Sequence, residues 1–238
     1  MDVATEIAQT RALILGIGNL LWADEGFGVR AVDELHRHYA FGPNVRVMDG
    51  GTQGIYLVQH IREADLLVVF DAVDYGLEPG TLKLVEDDEV PKFLGAKKIS
   101  LHQTGFQEVL AMAEMMGDYP DHLLLIGVQP VELEDYGGSL RAAVRAQIVP
   151  AIDAALAFLA AHGIEAKRRV VPLSEAELLS TPETGLTRYE TERPGEADAF
   201  RHGDQRVVGS KAWQGPEDFE AEMDRLVGRM PAHIPGER

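Results

Sequence analysis

The chain contains no cysteine among its 238 residues. That excludes disulfides, thiolate metal sites and cysteine-protease chemistry, and it fits a reducing compartment. Serine is scarce: there are five, and none sits in a G-x-S-x-G elbow. Basic residues are few, 22 against 39 acidic ones, for a formal net charge of −17. Such a balance lacks the basic footprint of a nucleic-acid binder and disfavours an anionic membrane surface as a partner. No stretch offers the roughly 18 consecutive apolar residues of a membrane span. The opening MDVATEIAQTR carries acids and no apolar signal-peptide core. The reading is a soluble, cytoplasmic protein with no nucleic-acid or membrane partner. A hydrolase built from this inventory has to act through a metal or a carboxylate.

What is present is a regular alternation of buried strands and striped helices. ALILGIGN (12–19), VRVMDGGTQG (45–54), DLLVVFDAVD (65–74) and HLLLIGVQP (122–130) are short apolar runs, several ending in glycine-rich sequence. Runs of this kind suit strands covered on both faces of a parallel sheet. GTLKLVE (80–86) alternates and predicts an extra strand. Between the strands, Gly28, Ala31, Val32 and Leu35 form a helical stripe, and so do Phe106, Val109, Leu110 and Ala113. Residues 54–64 predict a further helix. Residues 139–163 predict a long one, capped by Ser139 and kinked at Pro150. Thr104 and Gln107 have capping-box spacing, which starts the 104–117 helix just after His102. Met112, Met115 and Met116 read as core and edge packing.

The expected fold is α/β: a twisted, mostly parallel sheet flanked by helices on both faces, in one domain over residues 11–165. Residues 166–238 hold six of the twelve prolines and charged runs such as RYETERP. They read as an irregular, partly disordered C-terminal extension.

Three phrases converge on one place. GIGNLLWADEGFG (16–28), DAVD (71–74) and ISLHQTG (99–105) each lie where a strand gives way to a loop or helix. They offer Glu25, Asp71 and His102, two carboxylates and an imidazole, a set that suits a divalent transition metal. Each residue also has an ordinary structural reading. Asp24 or Glu25 can cap the helix that follows, Asp71 can close a turn, and His102 can be a hydrogen-bonded loop residue. The other histidines are scattered over surfaces and strand starts. Gly16 and Gly18 open a dinucleotide-type turn, but the third glycine of G-x-G-x-x-G is Leu21 here. Asp24 and Glu25 would then face a pyrophosphate, which disfavours nucleotide binding. A tight strand-to-loop turn explains both glycines.

Together the phrases LGIGNLLWADEGFGVR (15–30), DGGTQG (49–54), DAVD, PGT (79–81), ISLHQTG and IGVQP (126–130) resemble the hydrogenase maturation proteases. These endopeptidases trim the C-terminus of [NiFe]-hydrogenase large-subunit precursors, and the chain is most similar to the uptake type. The resemblance spans most of residues 11–163 and leaves the tail unexplained. It implies that Glu25, Asp71 and His102 are metal ligands and that Asp49, Gly50, Gly51 and Thr52 help to position the substrate, although a strand-terminal turn is the plainer reading of that loop. It further implies a nickel-loaded large-subunit precursor as partner, with the nickel supplied by that substrate and not held as a resident cofactor. Two rival readings are a non-enzymatic chaperone that binds the metal-loaded subunit and a nucleotide-dependent oxidoreductase.

Overall fold

A computed structural model describes residues 9–91, 101–133 and 135–192, with the side chains at 101–104 excepted. The described residues fall within one unit, Met1–Arg193. In chain order the elements are β1 (Ala12–Ile17), α1 (Phe27–His38), β2 (Tyr39–Ala40), β3 (Val45–Gly51), α2 (Val58–Ile61), β4 (Leu66–Ala72), β5 (Leu82–Glu86), α3 (Leu101–Met115), β6 (His122–Val128), α4 (Ala142–Arg145), α5 (Ile148–Ala161), β7 (Lys167–Arg168) and α6 (Leu186–Glu192). Five strands form one sheet in the order β3-β1-β4-β6-β5. All pairings in it are parallel except β5 with β6. The sequence therefore anticipates a mostly parallel sheet correctly, and GTLKLVE supplies its antiparallel edge.

Alternation along the strands splits the core in two. Ile14, Leu66, Val68, Phe70, Leu124, Ile126 and Val128 pack with Phe27, Val32 and Leu35 of α1 and with Ile152 and Leu159 of α5. Leu13, Leu15, Leu67, Val69, Leu123 and Leu125 face the other way, against Phe106, Val109 and Leu110 of α3. Full burial of each large side chain contributes about 1.5–3 kcal/mol, so these two layers hold the sheet between its helices.

Gly16 has a different role from the turn expected for it. It lies within β1, and a Cβ there would come 2.3 Å from the carbonyl oxygen of Gly28. The reciprocal Cβ on Gly28 would sit 2.2 Å from the carbonyl oxygens of both Ile17 and Phe70. Two missing side chains let the backbone of α1 rest directly on β1 and β4.

The predicted long helix is interrupted. α4 ends at Arg145 and α5 begins at Ile148, because the Pro150 ring clashes with a helical carbonyl four residues earlier. In the first turn of α5 its missing N–H is harmless. By length and composition Ala142–Ala161 could cross a bilayer, but Ile148, Ala151, Ile152, Ala155 and Leu159 are buried in the core. Ser139 does not cap this segment. Its hydroxyl donates to Glu190 at 2.6 Å, and the N-cap of α4 is Arg141. Met115 and Met116 are exposed and not packed, at 80% and 47%. α3 is helical from Leu101, so His102 lies within its described backbone and not ahead of it.

Residues 167–192 carry β7, a 3-10 turn at Glu175–Glu177 and α6, more order than the sequence predicts, and they are firmly tied down. β7 pairs antiparallel with β2. The strap then follows α1 back toward its N-terminus. Arg169 N–H donates to the carbonyl of His38 and Leu173 N–H to that of Arg37. Asp33, 3% exposed, accepts from the N–H groups of Leu179 and Ser180 and from the Ser180 hydroxyl. The buried Arg30 guanidinium donates to the carbonyl of Thr184 at 2.6 Å and lies 5.6 Å from the ring centroid of Tyr189. The strap closes on the 137–145 segment, where Tyr189 donates to the carbonyl of Gly138 and Glu190 pairs with Arg145. The expected disorder falls on residues 193–238, outside the described ones.

Candidate active site

The order of strands places β1 beside β4, and the connection leaving β1 runs to β3 on one side while that leaving β4 runs to β5 and β6 on the other. In open α/β sheets ligands bind at such a switch point, outside the carboxyl ends of the strands. The loops after β1, β3, β4 and β6 all open there.

The loop after β1 forms a 3-10 turn, Ala23–Gly26, which packs against β4. Its two acids divide their work. Asp24 is completely buried, at 0% exposure. Oδ2 accepts the N–H groups of Val131 and Glu132 at 2.9 Å each, and Oδ1 accepts that of Arg141 at 2.7 Å. It thus satisfies backbone donors of the loop after β6, not those of its own helix. Glu25 is only half-buried, and burial pushes its carboxyl pKa up.

Asp71 ends the apolar run of β4 and is 2% exposed. By alternation with Leu67 and Val69 it projects from the α3 face of the sheet. Directly across on β6 is Gly127. Beyond Asp71 the chain is pinned by Gln129, itself 6% exposed. Its carbonyl oxygen accepts the N–H of Tyr75 at 2.8 Å and that of Leu77 at 3.1 Å, and its amide donates to Asp74 at 3.0 Å. Sequence reasoning assigned Gln129 no role. A lone amide closing the apolar run LLLIGVQP was the available signal.

The first turn of α3 carries His102, whose side chain lies outside the described residues. α3 covers the same face from which Asp71 projects and packs against Gly54–Leu57, the turn that follows DGGTQG. Among the described residues no three His, Asp or Glu side chains stand close enough to hold an ion; the described pair is Glu25 and Asp71.

The DGGTQG loop borders the same edge. Gly18 N–H donates to the carbonyl of Gly51 at 3.0 Å, which stitches it to the loop after β1. Asp49 lies in register with Gly16 and, through it, with Phe70. Its side chain therefore projects on the α1 face, opposite to that of Asp71. Asp49 accepts the N–H of Gly51 at 2.8 Å. Burial pushes its carboxyl pKa up, while the Gly51 N–H and the Arg30 charge pull it down. It shapes the loop from behind. Gly50 is buried and Thr52 exposed.

The geometry also weighs against a dinucleotide. The 3-10 turn, with its two acids, stands ahead of α1 where a pyrophosphate would seat.

A family model described as hydrogenase maturation protease (HycI) matches residues 29–158. The hydrogenase expression/formation protein HupD of Thiocapsa roseopersicina is 65% identical over 198 residues, which cover 83% of this chain and 90% of that protein. HupM of Azotobacter chroococcum mcd 1, described in the same terms, is 64% identical over 206 residues, 87% of this chain and 96% of its own length. Among solved structures, the hydrogenase maturating endopeptidase HybD from E. coli superposes with a TM-score of 0.64 at 39% identity, covering 67% of this chain and 98% of HybD.

Proposed function

The chain belongs to the hydrogenase maturation protease family, and from that premise we propose that its substrate is the nickel-loaded precursor of a [NiFe]-hydrogenase large subunit, from which it removes a C-terminal peptide. It is an enzyme, a hydrolase of peptide bonds. The finer reading places the cut in the cytoplasm and in an uptake-type hydrogenase. It takes residues 11–165 as the protease domain and 166–238 as an extension to it.

Glu25, Asp71 and His102 are the residues that meet the substrate's nickel. What supports this is the seat of the two described acids. Asp71 closes β4 at the switch point, and the turn bearing Glu25 packs on that same strand. Carboxylate oxygens and an imidazole nitrogen suit a borderline divalent ion. Helical spacing puts position 102 one turn ahead of Phe106. An ion carried by another protein has to reach its ligands from the carboxyl edge, where Glu25 is half-buried and Asp71 is 2% exposed. Asp49, Gly50, Gly51 and Thr52 are given the positioning of the substrate chain: the exposed Thr52 can touch it, while Asp49 acts from behind by holding the Gly51 N–H. When bound, the ion can polarise a carbonyl or a water.

The experiment is incubation of the purified protein with nickel-loaded precursor, read by mass spectrometry. The expected result is loss of a C-terminal fragment, abolished in His102→Ala and in Asp71→Asn while both variants keep the native circular dichroism. Precursor that is bound but never shortened would make the chain a chaperone. Normal trimming by both variants would overturn this ligand set.

A further inference from the structure

The loops after β1 and β6 are joined into one platform beside Glu25. Trp22 and Tyr136 form a single antiparallel bridge, and their rings meet edge to face with centroids 5.3 Å apart. Gly137 N–H donates to the carbonyl of Leu21 at 2.7 Å, and Asp24 N–H to that of Glu132 at 3.1 Å. Glu25 belongs to the same turn, since its N–H donates to the carbonyl of Trp22 at 2.9 Å. What the platform shows to solvent is apolar: Leu21 is 42% exposed, Val131 49% and Tyr136 53%.

The neighbouring loops repeat the pattern. Ile55 and Tyr56 after β3 and Leu77 after β4 are exposed as well. Among the described residues these six are half of the twelve large apolar side chains left exposed, and all six follow the carboxyl end of a parallel strand. Scattered apolar side chains need no explanation, but a concentration at one edge marks a surface that another protein covers. The charge at this edge has one sign. Residues 18–26, 51–57, 73–81 and 129–141 hold seven acids and a single base, Arg141, which is paired with Asp135 at 2.7 Å. Asp74 and Glu78 are exposed. A segment that combines apolar side chains with lysine or arginine is the complement of such an edge.

We propose that the platform is the docking surface for the precursor: a segment of it, apolar and flanked by basic residues, lies across Leu21, Val131 and Tyr136 next to Glu25. The proposal rests on the substrate given above and adds what the protein grips besides the nickel. The occupant is the precursor and not a second copy of this chain, because two chains of net charge −17 would set acid against acid.

The test measures precursor trimming and sedimentation for Leu21→Ser, Tyr136→Ser, their double variant and Glu78→Lys, with Asp71→Asn and the unaltered protein alongside. Met115→Ser is the control: Met115 is 80% exposed but ends α3, where the chain turns toward the start of β6. The expected result is a rise in KM of about tenfold in the double variant, with kcat and Tm unchanged, and wild-type kinetics in Met115→Ser. Glu78→Lys raises KM about threefold at low salt, and added salt removes the excess. Should the double variant melt early, Leu21→Ser alone decides. Wild-type KM in the double variant, with Asp71→Asn inactive, overturns the docking surface and leaves the ligand set standing. Wild-type KM in Glu78→Lys at low salt overturns the basic character of the segment. A dimer that the double variant splits assigns the face to a second copy and overturns the proposal. Precursor that is bound but never shortened strikes the proposed function instead, and its Kd for the same variants then decides the platform.

Discussion

Asp24 and Arg141 stand 117 positions apart in sequence, yet the Arg141 N–H donates to Asp24 Oδ1 at 2.7 Å. With Val131 and Glu132 on the other oxygen, one buried carboxylate fastens the loop after β6 to the turn that presents Glu25. Asp24→Ala strands three backbone donors away from water. Each unsatisfied group costs roughly 1–3 kcal/mol, so the variant is expected to lose about 3 kcal/mol or more, read as a lower urea midpoint at unchanged slope. Asp24→Asn keeps one acceptor oxygen and loses less. A wild-type midpoint in Asp24→Ala would remove the staple from the account.

Gly28→Ala adds one methyl where none fits, 2.2 Å from two carbonyl oxygens. Because those atoms are backbone, relief requires α1 to lift off β1 and β4. A loss of about 1–3 kcal/mol or more follows, with weakened near-ultraviolet dichroism as the Phe27 packing loosens. A Gly28→Ala protein melting with the wild type would show that the helix has room to retreat.

Much of this architecture was legible in the residues. The apolar runs ending at Ile17, Ala72 and Val128 specify parallel strands, since only strands covered on both faces read so continuously. Asp71 stood out because it terminates such a run. Other features were hidden by their physics. Asp24 and Glu25 are adjacent and chemically alike, so only the long-range donors at 131, 132 and 141 reveal which one is structural. Gly16 read as a turn because a missing side chain looks the same whether it frees φ or admits a helix. The strap escaped because Asp33 and Arg30 meet it through backbone groups of 179, 180 and 184 and one hydroxyl, which leave no hydrophobic period behind. For His102, sequence supplies the residue and the helix, and its side chain stands outside the described residues.

The strap provides a further prediction. Asp33→Ala removes three acceptor contacts with Leu179 and Ser180. The expected stability loss is about 2–3 kcal/mol. Faster amide hydrogen exchange at 179 and 180 than in the β4 core is the local signature. Exchange rising equally everywhere would mean that the strap melts only with the whole domain.

At the opposite edge, Arg11 donates from its backbone N–H at 2.8 Å and from its guanidinium to Asp65, tying the start of β1 to that of β4. The Arg11 hydrogen bond holds the Asp65 pKa below the ordinary carboxylate range. A lowered folded-state pKa means that the unfolded chain binds the proton more tightly. The contribution is therefore full above the unfolded pKa and is lost as pH falls through the folded one. With both groups substantially exposed, solvent screens the pair and the effect is small. Asp65→Asn should lower Tm at pH 7 and match the wild type near pH 2. A Tm difference persisting at pH 2 would assign the effect to packing.

The direct seating of α1 on β1 and β4 through Gly16 and Gly28 has a kinetic corollary. The turn carrying Glu25 runs straight into a helix that has no play against the sheet, so its main chain is ordered before any partner arrives. Encounter with another protein then demands little rearrangement on this side, and the slow step of recognition is shifted onto the visitor.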